Sequence, residues 1–175
     1  MPHARRIFLV LPLAIWGAAA QPLVAQSSIA EELRREWASS RRQMVAIAEA
    51  MPAEKFHFKP TPEVRSFGEI VAHFAGENLA WMETVAGVPD SGRGARITNL
   101  QDRGEILRAV SEYFDYGATV LANLTDQTAL ETVPLMGRRL PRWLVVMEAI
   151  GHSKEHYGNL VTYLRLSGIT PPASA

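Results

Sequence analysis

The chain predicts an all-α fold, an antiparallel four-helix bundle preceded by a cleaved signal peptide, and three observations carry that expectation. Four long segments space their apolar residues as helices do, proline and glycine gather between those segments, and no long stretch alternates polar and apolar side chains. A chain of 175 residues with 47% hydrophobic and 21% charged residues holds enough apolar material for one domain around a single core. That domain is expected at 28–172, after a signal at 1–25.

The elements follow in order. Arg5 and Arg6 precede an apolar run from Ile7 to Ala20, and small residues recur at Ala18, Ala19, Ala20 and Ala25, which is the layout of a secretory signal cleaved near residue 20 or 25. The run is shorter than the roughly 20 residues of a spanning helix and contains Pro12, which argues against a membrane anchor. Arg5-Arg6-Ile7-Phe8-Leu9 resembles the centre of a twin-arginine signal, although Ala4 and Val10 stand where that pattern favours a hydroxyl residue and a lysine. Localisation is therefore expected to be outside the cytoplasm, periplasmic or extracellular.

From Ile29 to Ala50 there is neither proline nor glycine, and Leu33, Trp37, Met44 and Ile47 mark the buried stripe of a first helix. Pro52, Pro60 and Pro62 make 51–65 an extended connection. Ser66 and Glu69 stand at capping-box spacing and open a second helix that runs to about Ala86. Gly87, Pro89 and the Gly, Ser and Arg residues up to Thr98 read as a solvated loop. Asp102 and Glu105 repeat the capping spacing before a third helical stripe through Val110, Phe114 and Leu121. Residues 125–140 are mixed, with room for a short hairpin or an irregular crossover. The fourth helix is expected to start near Pro141 and stop at Gly168, beyond which Pro171 and Pro172 forbid continuation.

Composition excludes several kinds of function. Eighteen basic residues balance eighteen acidic ones, so no net field draws the protein to nucleic acid or to an anionic membrane. Without cysteine there is no disulfide, no thiolate ligand and no cysteine nucleophile, so any metal must be held by nitrogen and oxygen.

Histidine carries the chemistry that remains. His152 and His156 are four residues apart on the fourth helix, which puts both rings on one face. At about 100° per residue, both lie on a flank of that helix's apolar arc, and His73 lies on the flank of the second helix's arc. Glu77, one turn beyond His73, shares its flank. Such a set is either three metal ligands at the parting of two helices or three hydrogen-bonded side chains at a core edge, and spacing alone leaves both open.

Residues 54–73, EKFHFKPTPEVRSFGEIVAH, resemble the DinB-like family, named for damage-inducible proteins and distinct from DNA polymerases. The end of the chain is similar to that family's last helix, with HSKEHYGNL at 152–160, then YLR at 163–165 and GITPP at 168–172. The resemblance covers 29–172, with one histidine on the second helix and an H-x-x-x-H pair on the last.

The resemblance implies a four-helix bundle whose His73, His152 and His156 hold one divalent ion, zinc, nickel or a similar metal, often in a homodimer. His57, set between Phe56 and Phe58, matches no ligand position. Three neutral imidazoles leave an exchangeable position, as catalytic zinc sites do. Each ring needs its second nitrogen oriented, a task suited to Glu77, with Glu155 or a backbone carbonyl as alternatives. The expected function is a metal-dependent hydrolase or transferase acting on an unknown small molecule, and the competing expectation is a non-catalytic metal- or ligand-binding protein or a dimeric structural bundle. No catalytic nucleophile or complete acid–base pair is identifiable.

Overall fold

The computed structural model describes residues 27–172. The signal peptide expected at 1–25, with its arginine pair, lies outside the described residues. Four long helices form the body: α1 (Ile29–Ala50), α2 (Phe67–Ala86), α4 (Arg103–Ala122) and α6 (Arg142–Leu166). Two short α-helices, α3 (Arg93–Thr98) and α5 (Asp126–Ala129), a single 3-10 turn at Ala53–Lys55 within the connection expected to be extended, and a hairpin of β1 (Thr132–Leu135) and β2 (Arg138–Pro141) complete it.

Local chemistry sets the helix starts. Ser66 Oγ accepts the Glu69 N–H at 3.2 Å while Glu69 accepts the Ser66 N–H at 2.6 Å, so the capping box predicted for α2 forms in full. Ser28 and Glu31 make the same reciprocal pair at α1. At α4 only half of it forms: Asp102 accepts the Glu105 N–H at 2.9 Å. The hairpin allowed for in 125–140 is present, pairing Val133 with Leu140 across a turn in which Met136 and Gly137 both take positive φ, as a two-residue hairpin turn requires. Pro141 precedes α6 as its cap residue, and the helix closes at Ser167 and Gly168, where the Ile169 N–H returns to Leu164 O at 2.9 Å.

One loop expectation is corrected. Residues Arg93–Thr98 are helical, because Gly94 meets Gly76 backbone to backbone and lets α3 lie directly against α2. A Cβ on either glycine would collide with the carbonyl of the other glycine. Sequence periodicity cannot register six residues held by such a contact.

Helix order departs from a simple antiparallel arrangement. Neighbouring pairs around the bundle are α1 with α4, α4 with α2, α2 with α6 and α6 with α1. Arg34 reaches Leu121 O and Arg103 reaches Met51 O, so α1 and α4 run antiparallel. Asn78 reaches Ala149 O and Arg142 reaches Val85 O, so α2 and α6 do too. By contrast, Lys154 pairs with Glu36 and Lys55 with Ser167 O, placing α1 and α6 parallel. The return through α3 likewise sets α2 parallel to α4. The antiparallel expectation thus holds for two of the four neighbouring pairs.

The core is continuous. Trp37 lies between α1 and α4, edge-on to Tyr113 and Phe114, and its indole N–H donates to Phe114 O at 3.0 Å. Gly117 lies under the ring, where any Cβ would overlap it. Among the described residues, no helix is long and apolar enough to cross a membrane.

Candidate metal centre

The antiparallel face between α2 and α6 carries the histidines. His73 on α2 meets His152 and His156 on α6 with ring centroids 5.3 and 5.1 Å away, and one nitrogen from each of the three lies within 4.8 Å of the others. The i, i+4 spacing does what it predicts: His152 Nε2 and His156 Nε2 are 2.9 Å apart. At that distance one neutral ring can donate its N–H to the lone pair of the other, or both lone pairs can face a cation. His57 is exposed on the connection before α2, edge-on to Phe56, and takes no part.

Behind the rings lies a buried polar network. Asn78, fully buried on α2, donates its Nδ2 to Ala149 O at 3.0 Å and to Ser153 Oγ at 2.9 Å. Its Oδ1 therefore faces His152 Nδ1, at 2.8 Å, and the ring must donate from that nitrogen. His152 Nε2 is left with its lone pair toward the other two histidines, which is the form a metal needs. Tyr113 on α4 ends the network against Ser153 and Asn78, without a well-formed hydrogen bond of its own, and burial holds its hydroxyl above the ordinary tyrosine range.

Glu77 marks the open side. One carboxylate oxygen is 3.3 Å from His73 Nδ1 and the other is 4.0 Å from His152 Nε2, with the side chain half exposed. It orients His73 while facing the centre itself. Glu155, the alternative considered from sequence, is exposed; its charge acts on His73 and His152 only at a distance. Trp81 covers His152 with ring centroids 5.2 Å apart.

Burial governs the protonation of the cluster. It lowers the pKa of all three imidazoles, and at His156, where the neighbouring His152, His73 and Arg65 charges add to it, the value falls to about 4. Glu77 partly offsets the shift at His73 and His152. All three rings are therefore mainly neutral near pH 7, the form in which an imidazole can serve as a ligand.

Tetrahedral zinc–nitrogen bonds of about 2.0–2.1 Å place ligand nitrogens roughly 3.3 Å apart. The 2.9 Å between His152 Nε2 and His156 Nε2, and the approach of one nitrogen from each ring to within 4.8 Å of the others, are compatible with that spacing. The donor set, its protonation and its orientation fit a divalent ion.

Comparison with known proteins places the architecture. The DinB family profile matches residues 25–175. The chain belongs to the DinB family. A DinB-like protein of Bacillus cereus superposes with TM-score 0.72 at 16% identity, over 82% of this chain and 95% of that one. Another from Bacillus subtilis gives 0.65 at 20% identity, over 82% and 97%. YfiT from Bacillus subtilis, described as a probable metal-dependent hydrolase with an unusual four-helix bundle topology, gives 0.63 at 13% identity, over 81% and 89%. At these identities the likeness is one of fold. No curated protein matches the chain by sequence.

Asn78, Trp81 and Arg65 have no place in the sequence expectation for this DinB-family site. Asn78 left a signal: it is a polar residue on the apolar stripe of α2, one turn after Phe74 and beside Leu79 and Met82.

Proposed function

We propose that this DinB-family protein is a metal-dependent hydrolase of a small polar molecule, acting outside the cytoplasm, with His73, His152 and His156 holding one zinc or nickel ion. The convergence of three neutral imidazoles, one of them locked in its ligating tautomer by Asn78, carries this reading. When bound, such an ion supplies Lewis acidity and lowers the pKa of a coordinated water. The remaining roles belong to the chain. Glu77, with an oxygen facing the centre and an open path to solvent, accepts a proton there and passes it outward. Trp81 shields one side of His152 from water, and Asn78 keeps the ring from turning. The description of YfiT supports hydrolysis over transfer to a thiol, as does the scarcity of reduced thiols outside the cytoplasm. A homodimer is the proposed assembly.

Protein purified without a histidine tag should contain one divalent ion per chain by elemental analysis, and His152→Ala and His156→Ala should lose it while remaining folded. A panel of small esters and amides should then show turnover that Glu77→Gln removes without removing the metal. Metal-free native protein would overturn the centre. Stoichiometric metal without turnover of any panel member would favour the binding-protein alternative.

A further inference from the structure

A cavity of about 370 Å³ opens beside His73, with Lys59, Arg65, Glu69, Asn99 and Gln101 among its walls. Its volume lies at the low end for small-molecule sites. Most of its charges are already engaged. Glu69 accepts the Ser66 N–H and pairs with Lys59 at 3.0 Å. Glu63 is held below the usual carboxylate range by hydrogen bonds from the Thr61 side chain and its own backbone N–H. The first N–H groups of α2 are also committed: Phe67 donates to Phe58 O, Gly68 to Phe56 O and Glu69 to Ser66 Oγ.

Arg65 is different. Its backbone is pinned, because the Tyr163 hydroxyl donates to Arg65 O at 2.8 Å. Its side chain is exposed and enters no salt bridge among the described residues, so a solvated cation with a planar donor fork lines a cavity that also includes a histidine of the centre. Asn99 commits its Nδ2 to Ala95 O at 2.8 Å, leaving its Oδ1 to accept a hydroxyl or amide proton.

We propose that this cavity is an oxyanion subsite, in which Arg65 binds a carboxylate or phosphate of a small substrate whose reacting group lies at His73, His152 and His156. The inference rests on the metal-centre reading and adds to it the chemical class of substrate. Substrate binding then spans two anchors, which fixes the orientation of the bond to be cleaved.

The test uses full-length mature protein loaded with cobalt(II), whose visible absorption reports on ligands entering the centre. Malonate, succinate, glutarate, phosphonoacetate and acetate are titrated in turn. At least one two-headed anion should bind about tenfold more tightly than acetate, the size expected for one charge-assisted contact. Arg65→Gln should bring that anion to the level of acetate without altering cobalt affinity, and Arg65→Lys should restore part of the difference. Tighter binding of phosphonoacetate than malonate assigns the subsite to phosphate, and the reverse order to carboxylate. Equal affinity for acetate and every two-headed anion, or a preference that survives Arg65→Gln, overturns the subsite alone. Absence of any cobalt spectrum overturns the metal reading and the subsite with it.

Discussion

Asn78 shows how a single amide can serve two purposes. Its Nδ2 ties α2 to α6 through Ala149 O and Ser153, and its Oδ1 sets the tautomer of His152. Asn78→Ala should lower metal affinity about tenfold to a hundredfold, since the imidazole loses its orienting partner. It should also cost about 1–3 kcal/mol of stability for the buried groups left unsatisfied. Calorimetric metal titration and chemical unfolding read the two effects separately. His57→Ala should change neither, because the ring is exposed and outside the cluster; a weakened metal titration in that variant would mean the ligand set is wrongly drawn. The histidines and Glu77 were legible in the sequence because helical phase places them on flanks of apolar stripes. Arg65 was not, since nothing in a connection rich in proline says which way a side chain turns.

At the level of the element, helix starts are the parts most directly written in the sequence. Ser66 with Glu69 is visible as a spacing and realised as a pair of hydrogen bonds. The Ser66 N–H, and after it Lys59, hold the Glu69 carboxyl below its ordinary value of 4.5. A carboxylate whose folded pKa is depressed contributes stability above its unfolded pKa and loses it as pH falls through the folded value. Glu69→Gln should therefore flatten the acid limb of a stability–pH curve below about 4.5 and leave its slope above pH 6 unchanged, as monitored by urea unfolding at a series of pH values. Gly117 is the opposite case, a residue that looks like a flaw in α4 until Trp37 is placed on it. Gly117→Ala has the better helix propensity but should destabilise by about 1–3 kcal/mol through overpacking. A rise in Tm for this variant would contradict the packing described. Helix α3 stayed hidden because six residues give too little periodicity, and its cause, two glycines in backbone contact, is tertiary.

At the scale of the molecule, the histidines line the edge of the core, and the buried aromatic and aliphatic side chains form a contiguous cluster without them. The bundle should therefore stay helical when metal is stripped with a chelator, as judged by circular dichroism. Adding zinc or nickel back should raise Tm, since a ligand bound by the folded state alone stabilises by about 2.7 kcal/mol at a hundred times its Kd. Collapse of helicity on chelation would make the ion a structural requirement. The number and type of long helices could be read from periodicity. Their order around the bundle could not, because periodicity says which face of a helix is buried and nothing about which neighbour buries it.

That order has a kinetic meaning. Helix α6, of 25 residues, is the last helix among the described residues, and it supplies two of the three histidines and a wall that touches both α1 and α2. Contacts such as Lys55 with Ser167 and Arg65 with Tyr163 join positions 112 and 98 residues apart, so no partial chain on the ribosome can close the bundle or gather the ligands. Non-local closure of this kind slows folding relative to bundles of sequentially adjacent helices. Capture of the proposed ion then has to wait for α6, because a nascent polypeptide halted before Arg142 has only His73 of the three to offer.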